Sequence, residues 1–265
     1  AIIGGIGGPI LVAAMGVLQT FLVFGIVFGV LVAGCGSMLK NPPAGYKPVG
    51  WSPPAPAPGA KVVKYDYSPG EMVATMPFWM LWIGYLISAG VGLIVISQAS
   101  PIGQEVAKLT PVVAGGALTI LAVFNGLGRP GFGWISDAIG RKNAWMAIFA
   151  LHLISLLFIL PNATTFGTYV VGLCVVGFAF GGTLALMPAF TADYFGTKGL
   201  GLNYGWLFSA YGVAGLVLTL FAARVRTVAG SWNTVFWYLV IACAVGLVSA
   251  AVVKAPAPKE VEAKA

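Results

Sequence analysis

The 265-residue chain is too apolar for water to be the solvent of most of its surface. Hydrophobic residues make up 59% of it, charged residues only 8%, and the mean hydropathy is +0.94. A soluble domain of this length carries roughly 25% charged residues. The net charge of +7 does not indicate nucleic-acid binding, because no polar segment combines a basic patch with interleaved aromatic residues. We therefore predict an integral membrane protein with no nucleic-acid partner.

Apolar runs long enough to cross a bilayer recur along the chain. About 20 residues span a ~30 Å hydrocarbon core at 1.5 Å per residue. The first complete run is 18–39, after a shorter apolar stretch at 1–16. Residues 40–72 are rich in proline and lysine, so we expect no long helix there. Six further spans are predicted at residues 74–99, 110–135, 143–161, 166–191, 201–223 and 233–253.

The distribution of Lys and Arg between the predicted loops gives the chain an orientation. With the 40–72 loop in the cytoplasm, ten basic residues are cytoplasmic and three lie on the other side. The ten are Lys40, Lys47, Lys61, Lys64, Arg141, Lys142, Lys198, Lys254, Lys259 and Lys264, and the three are Lys108, Arg224 and Arg226. Because cytoplasmic loops carry an excess of Lys and Arg, we predict that the C-terminus is cytoplasmic.

A charged turn separates the second and third of the six later spans. Residues 133–142 have the pattern G-x-x-x-D-x-x-G-R-K. Gly133 is expected to allow a close helix approach, and Gly140 a tight turn. Asp137 can accept hydrogen bonds from the N-terminus of a facing helix. Arg141 and Lys142 can anchor the turn at an anionic membrane leaflet.

This turn resembles the signature of the major facilitator superfamily, which lies between the second and third helices and again between the eighth and ninth. The resemblance implies that these five residues form a conformational-switch motif. In the superfamily this contact latches the two halves of the carrier together in one conformation, and its breakage accompanies switching.

Other segments resemble the oxalate/formate antiporter family within that superfamily. They are Asn41–Tyr46, Thr75–Trp82, Ser97–Pro101, Thr191–Thr197 and Asn203–Gly205. The resemblance implies an all-α integral membrane protein with a major facilitator-type helix bundle: a six-helix C-terminal bundle and one or two preceding helices. It also implies a bacterial inner-membrane location.

The same resemblance divides the chain into four parts. Residues 1–39 correspond to the last helix or two of a truncated N-terminal bundle, and 40–73 to a cytoplasmic linker. Residues 74–254 correspond to the C-terminal bundle, and 255–265 to a cytoplasmic tail. Because the chain starts with Ala1 inside an apolar stretch, we expect the earlier helices of the carrier to be absent. The expected partners are the bilayer and those missing helices, or neighbouring membrane subunits.

Arg129 is a charge inside a predicted span. It lies eight residues before Asp137, which is about 12 Å deeper and close to the midplane of the core. An arginine there costs at least ~2.5–3.5 kcal/mol, so it should face a polar cavity or an anion. A substrate carboxylate can be held by two parallel hydrogen bonds. An acid on the absent helices, or snorkelling to the rim, is the alternative.

The resemblance supports the substrate interpretation, since the eighth helix of the antiporter family carries a substrate-binding arginine at this place. In its oxalate exchangers a lysine is expected in helix eleven, and the matching position here is Tyr211. One cation suits a monocarboxylate such as formate, lactate or pyruvate, whereas two suit oxalate. Tyr211 can still donate a hydrogen bond.

Four further residues are weaker candidates for the same site. Gln98 and Asn125 are polar positions within or near the spans, and Phe180 and Phe208 are candidate cavity walls. Each also fits a role in helix packing. His152, the only histidine, fits either proton coupling or simple helix packing.

Two functions of different classes follow. The first is secondary transport of small carboxylates by alternating access, either of a monocarboxylate or as oxalate/formate exchange. The second is a transport-inactive, transporter-derived structural subunit of a larger membrane complex. No enzyme is predicted, because the sequence has no nucleophile–base pair, metal cluster or phosphate-binding loop. Neither a cofactor nor a metal is expected.

Overall fold

The computed structural model describes residues 8–40, 46, 50 and 65–256. It divides into two compact units, Ala1–Val62 and Val63–Ala265. Within the described residues every regular element is a helix, and seven helices are long and apolar enough to cross a membrane. The predicted all-α membrane architecture is confirmed.

The described residues of the first unit form two helices. Helix α1 comprises Gly8–Met15 and helix α2 comprises Val17–Met38. Gly16 separates them with a φ of +82°, a conformation that glycine adopts without a steric penalty. The Thr20 hydroxyl donates to the Gly16 carbonyl at 2.8 Å, which satisfies an acceptor at this break.

The second unit contains a short helix followed by six membrane spans. The helices are α3 Pro69–Val73, α4 Met76–Val106, α5 Pro111–Ile139, α6 Arg141–Ile154, α7 Phe166–Phe195, α8 Leu200–Val213, α9 Thr219–Ala229 and α10 Trp232–Val252. A π-helical segment (Ser155–Ile159) and a 3₁₀ turn (Leu160–Asn162) extend α6. A second π-helical segment, Ala214–Leu218, joins α8 to α9, so these two form one span.

Helix α4 continues further than the sequence indicates. Residues 100–106 look like a loop because Pro101 interrupts them, yet the structure keeps them helical. Ile102 is fully buried, and the Glu105 carboxylate pairs with Arg226 of α9. The Tyr169 hydroxyl of α7 donates to the Ala99 carbonyl. These tertiary contacts outweigh the helix-breaking tendency of one proline.

Helices α5 and α7 are packed so closely that glycines are required between them. A Cβ atom at Gly128 of α5 would overlap the Phe178 carbonyl of α7. One at Gly181 of α7 would overlap the Asn125 carbonyl of α5. Small residues allow such backbone approach between membrane helices. This glycine seam holds the part of α5 that carries Arg129.

The segment before α3 is attached to the turn between α7 and α8. The Asp66 carboxylate accepts from the backbone N–H groups of Thr197 and Lys198 at 2.8 and 3.0 Å. The N–H of Tyr67 donates to the Phe195 carbonyl, and the Asn203 side chain donates to the Tyr67 carbonyl. The last residues of the Pro- and Lys-rich region are therefore ordered by hydrogen bonds to the bundle.

Candidate functional site

Arg129 lies deep in helix α5. It is ten residues from Ile139, where α5 ends, which corresponds to about 15 Å along the helix axis. Its side chain is exposed, while the adjacent Gly128 is buried against α7. Across residues 8–40 and 65–256, no carboxylate forms an ion pair with Arg129. The described bundle therefore supplies no countercharge for this cation.

Three of the predicted site residues form one aromatic stack. The rings of Phe208 and Tyr211, both on α8, lie 5.0 Å apart and within 7° of parallel. On its other side Tyr211 stacks on Phe180 of α7, at 6.1 Å and 12°. Tyr211 is thus held between two rings, at the end of α8 where the π-helical segment begins. This places it as part of an aromatic wall rather than as an isolated polar group.

Two tyrosines complete this cluster, and sequence reasoning missed both. Tyr85 of α4 lies 6.1 Å from Phe208 and 6.4 Å from Tyr211. Tyr204 of α8 lies 5.6 Å from Phe208. The spacing of residues 204, 208 and 211 places them on one face of α8, and this i, i+4, i+7 pattern was a usable signal.

Arg129 lies on α5, which packs against α4 and α7, the helices that carry Tyr85 and Phe180. The Tyr204 hydroxyl is 3.5 Å from that of Tyr85. The aromatic cluster thus draws two phenolic hydroxyl groups and apolar rings from α4, α7 and α8, and α5, which packs on α4 and α7, carries the cation. Such a set can hold a small anion that also presents an apolar or planar face.

The other two predicted polar residues are placed differently. Gln98 lies 22 residues after the start of α4, about 33 Å along the axis, and lines a cavity of about 280 Å³ beside Glu105 and Arg226. It does not share the level of Arg129. The Asn125 amide donates to the Gly177 carbonyl at 3.3 Å, an interhelical hydrogen bond in the glycine seam. Asn125 therefore makes a helix-packing contact. Helix packing was the alternative to its predicted role in the cavity.

The charged turn forms an ion-pair clamp. The Arg141 guanidinium lies 2.5 Å from the Asp137 carboxylate and 2.9 Å from that of Asp193, and it also bonds the Ser136 hydroxyl. It therefore joins the end of α5, the start of α6 and the end of α7. Two carboxylates thus pair with Arg141, and its expected anchoring at the lipid surface stays a prediction.

The two glycines of the charged turn, Gly133 and Gly140, differ in their backbone conformation and surroundings. Gly140 has a φ of +87°, as the predicted tight turn requires. A Cβ at Gly133 would meet nothing within 4 Å among the described residues, so the expected close helix approach does not occur there. Lys142 is half-buried and makes no ion pair in the described ranges.

His152 belongs to a buried polar chain behind the aromatic cluster. Its Nε2 atom lies 3.0 Å from the Ser88 hydroxyl, which lies 2.6 Å from the Thr183 hydroxyl. All three side chains are fully buried. They link α6, α4 and α7, and Ser88 and Thr183 each follow a cluster residue, Tyr85 and Phe180, by three positions in the chain. This arrangement supplies the helix-packing contacts that were one of the two roles considered for His152.

No group of three or more His, Cys, Asp or Glu side chains in the described part of the chain is placed to hold a metal ion. The three cysteines are free, with Cys35 exposed and Cys174 and Cys243 buried. The candidate site can therefore bind a ligand through electrostatic attraction, hydrogen bonding and aromatic contact.

The helix bundle and its charged turn define the class of protein. Residues 81–265 match the Major Facilitator Superfamily, and with this match covering more than half of its length the chain belongs to that superfamily. The resemblance inferred from the 133–142 motif is confirmed. The protein is thus a multi-pass membrane protein of a transporter superfamily.

Individual curated proteins are also similar to this chain. The oxalate:formate antiporter of Oxalobacter formigenes is 29% identical over 227 residues, which cover 83% of this chain and 50% of the antiporter. The uncharacterized MFS-type transporter YhjX of Escherichia coli (strain K12) is 29% identical over 213 residues, 78% of this chain and 49% of YhjX. The apicoplast pyruvate carrier 1 of Toxoplasma gondii is 32% identical over 109 residues, 40% of this chain and 20% of the carrier. The chain spans about half the length of the first two relatives.

Proposed function

We propose that this protein moves small carboxylates across a bacterial inner membrane by alternating access, with its C-terminus in the cytoplasm. The observation that carries the proposal is the guanidinium of Arg129, which forms no ion pair with any described residue and lies about 15 Å from the end of α5. A cation at that depth is costly unless an anion or a polar cavity compensates it. A substrate carboxylate is the compensating anion in this proposal, held by paired hydrogen bonds.

The aromatic stack determines the size and shape of the substrate. Phe180, Tyr211 and Phe208 present ring faces and edges, which favour a small planar anion. The cluster contains no second cation among the described residues. A monocarboxylate such as formate or lactate therefore fits better than oxalate, whose second carboxylate would have no positive partner. Oxalate/formate exchange is the activity in the printed name of one relative, and it remains the competing outcome.

In this proposal the ion pairs of the charged turn form part of the conformational switch of the carrier. Arg141 is held by Asp137 and Asp193 in the present conformation. Gly133, Gly140 and Lys142 complete the motif. In this proposal the turn makes and breaks its contacts with the other half of the carrier as the two bundles rock around the substrate. Gln98, at the opposite end of α4, would line the exit path rather than the binding site.

A transport assay with a charge-matched control tests the proposal. The native protein is reconstituted in vesicles, and uptake of labelled formate, lactate and oxalate is compared for wild type, Arg129→Gln and Arg224→Gln. Arg224 is also an exposed arginine, but it lies on α9. We expect Arg129→Gln to abolish uptake and Arg224→Gln to preserve it. Equal uptake by wild type and Arg129→Gln would contradict the proposal.

The same assay distinguishes the alternative function. A transport-inactive structural subunit would give no uptake of any of the three anions by the folded wild-type protein. In that case Arg129 would pair with an acidic group of a neighbouring subunit, and Arg129→Gln would weaken assembly of the complex. Recovery of the intact complex with the variant would exclude that role for Arg129.

A further inference from the structure

A cavity of about 280 Å³ lies where α4 ends, at the side of the bundle remote from the charged turn. The segment that leads into α4 is bonded to the end of α7, near the charged turn, so the other end of α4 lies at the opposite side. The volume is close to the lower limit of about 300 Å³ for ligand pockets and suits a small ligand. Apart from Pro101 and Ala223, the lining side chains carry polar atoms: Gln98, Glu105, Arg226, Thr227 and Trp232.

The Glu105 carboxylate joins three helix ends in this cavity. One of its oxygens pairs with Arg226 in the last turn of α9, and the other accepts from the backbone N–H of Trp232, at 3.0 Å, where α10 begins. The Arg226 guanidinium also lies over the Trp232 ring, 5.8 Å from its centre. The side chains of Arg226 and Glu105 are nevertheless 32% and 28% exposed. A molecule that enters the cavity can therefore reach the guanidinium.

The cavity contains hydrogen-bond donors that the bundle does not use. A guanidinium has five N–H donors, and the bond from Arg226 to Glu105 occupies one of its terminal nitrogens. The Gln98 amide carries two further donors, and it forms no hydrogen bond within the part of the chain that the structure describes. A carboxylate only accepts hydrogen bonds, so it is the complementary ligand for this set of donors.

The charges at this end of the bundle favour the same class of ligand. Among the described residues, Lys108, Arg224 and Arg226 lie there with Glu105 as the acidic group. This surplus of positive charge raises the local concentration of anions. A small carboxylate can replace Glu105 at the Arg226 guanidinium, while Glu105 keeps its hydrogen bond from the Trp232 N–H. The exchange therefore leaves neither charged side chain without a partner.

We infer that this cavity is a docking site for small carboxylates, separate from the site at Arg129. In this scheme Arg226 and Gln98 bind the anion, and Glu105 competes with it for the guanidinium. The inference rests on the proposed function, because the ligands are the same small anions and the proposed orientation places the cavity at the outer face of the membrane. Its role would be to hold the substrate before or after its passage across the bundle.

Protection from an arginine-specific reagent tests for the anion directly, without a transport step. The purified protein in neutral lipid is treated with phenylglyoxal in formate or in chloride of equal ionic strength, and tandem mass spectrometry gives the extent of reaction at each arginine. Formate should slow the reaction of Arg226. It should leave unchanged that of Arg224, an exposed arginine of the same helix that does not line the cavity. Equal effects of formate on Arg226 and Arg224 would overturn the inference.

Variants of the ion pair separate docking from a purely structural contact. Glu105→Gln removes the competing charge but keeps an acceptor for the Trp232 N–H, so the KM for formate uptake should fall about threefold. Arg226→Gln should raise KM about tenfold, because a hydrogen bond to a charged group is lost. Arg224→Gln should match wild type. A structural ion pair gives no reason for KM to fall, so an unchanged or raised KM in Glu105→Gln would contradict the docking site.

The Arg129→Gln variant separates this inference from the function on which it rests. Formate should still protect Arg226 in Arg129→Gln, because the two arginines belong to separate sites. If Arg129→Gln abolishes uptake and formate fails to protect Arg226 in the wild type, only the docking site is excluded. If Arg129→Gln takes up formate as the wild type does, the proposed function fails, whereas protection of Arg226 would still establish an anion site in the cavity.

Discussion

The Arg141 Nε atom lies 2.9 Å from the Asp193 carboxylate, so the first residue of α6 is joined to the last turns of α7. Asp193 lies 52 positions away in the sequence and outside the G-x-x-x-D-x-x-G-R-K pattern. The same guanidinium also holds Asp137. The turn is thus a junction of three helix ends.

Replacing Asp193 by Asn should weaken this junction only slightly. The side chains of Arg141 and Asp193 are 28% and 48% exposed, and exposed ion pairs contribute about 0.5 kcal/mol. We expect a small loss of stability that shrinks as salt is raised, since salt screens the pair. Thermal unfolding at low and high ionic strength measures it. Lys142→Gln, which removes a charge without an ion pair, is the control, and a loss that does not depend on salt would argue against the pair.

Replacing Gly181 by Ala should strongly destabilise the bundle. A Cβ there would overlap the backbone carbonyl of Asn125, and backbone atoms cannot move aside as a flexible side chain can. We expect the unfolding free energy to fall by about 2 kcal/mol or more. Gly126→Ala, on α5 where nothing lies within 4 Å, should be neutral or slightly stabilising. Equal stability of the two variants would show that the seam can widen without cost.

Replacing Asp66 by Ala should loosen the turn between α7 and α8. The backbone N–H groups of Thr197 and Lys198 lose their shared acceptor, at a cost of about 1–3 kcal/mol for the local structure. Amide hydrogen exchange at these two positions should become faster. Asp66→Asn keeps a carbonyl oxygen as acceptor and should exchange at an intermediate rate. Unchanged exchange in Asp66→Ala would mean that water replaces the carboxylate fully.

Replacing Ser88 by Ala should reveal the contribution of the buried polar chain. His152 Nε2 then loses its hydrogen-bond partner in a site without access to water, which costs about 1–3 kcal/mol. Thermal unfolding should fall accordingly. Ser97→Ala removes a hydroxyl that bonds only to the Ile94 carbonyl of its own helix, and it should change stability little. A loss in Ser97→Ala as large as in Ser88→Ala would contradict this explanation.

Replacing Tyr211 by Lys should shift the substrate preference if the proposed function is correct. The new ammonium group would lie beside the rings of Phe180 and Phe208 and supply a second cation to the proposed site. We expect uptake of oxalate to rise relative to formate, because a dicarboxylate then finds a partner for each charge. Tyr211→Gln, similar in length and uncharged, is the control. The same preference in both variants would exclude a charge effect at this position.

Sequence reasoning located the spans because their signal is local. Each apolar run has the length that a bilayer requires, and the seven spans of the described residues begin within two residues of the predicted bounds. The larger differences lie at the C-terminal ends of the spans. Residues 100–106 of α4 remain helical although they contain Pro101, because Glu105 and Ile102 are held by contacts with other parts of the bundle.

The candidate site was only partly predictable from the sequence, because the sequence signal is local whereas the contacts between helices are not. Arg129, Tyr211, Phe180 and Phe208 stand out by charge, by family resemblance or by aromatic character, and the last three do form one stack. Gln98 was included as a polar residue near a span, but its height on α4 separates it from the level of Arg129. Tyr85 was not selected, since nothing in its neighbours along α4 indicates that it meets Tyr204 of α8.

The sequence by itself determined that the chain crosses a membrane in apolar helices, that one arginine lies near the middle of a span, and that the turn at 133–142 is of the major facilitator type. These properties depend on residues close together in the chain. Only the tertiary structure decided that Arg141 pairs with Asp193, that Gly128 and Gly181 bring α5 onto α7, and that the hydroxyl groups of Tyr85 and Tyr204 meet. Such contacts arise from the packing of distant helices, which the periodicity of one helix does not encode.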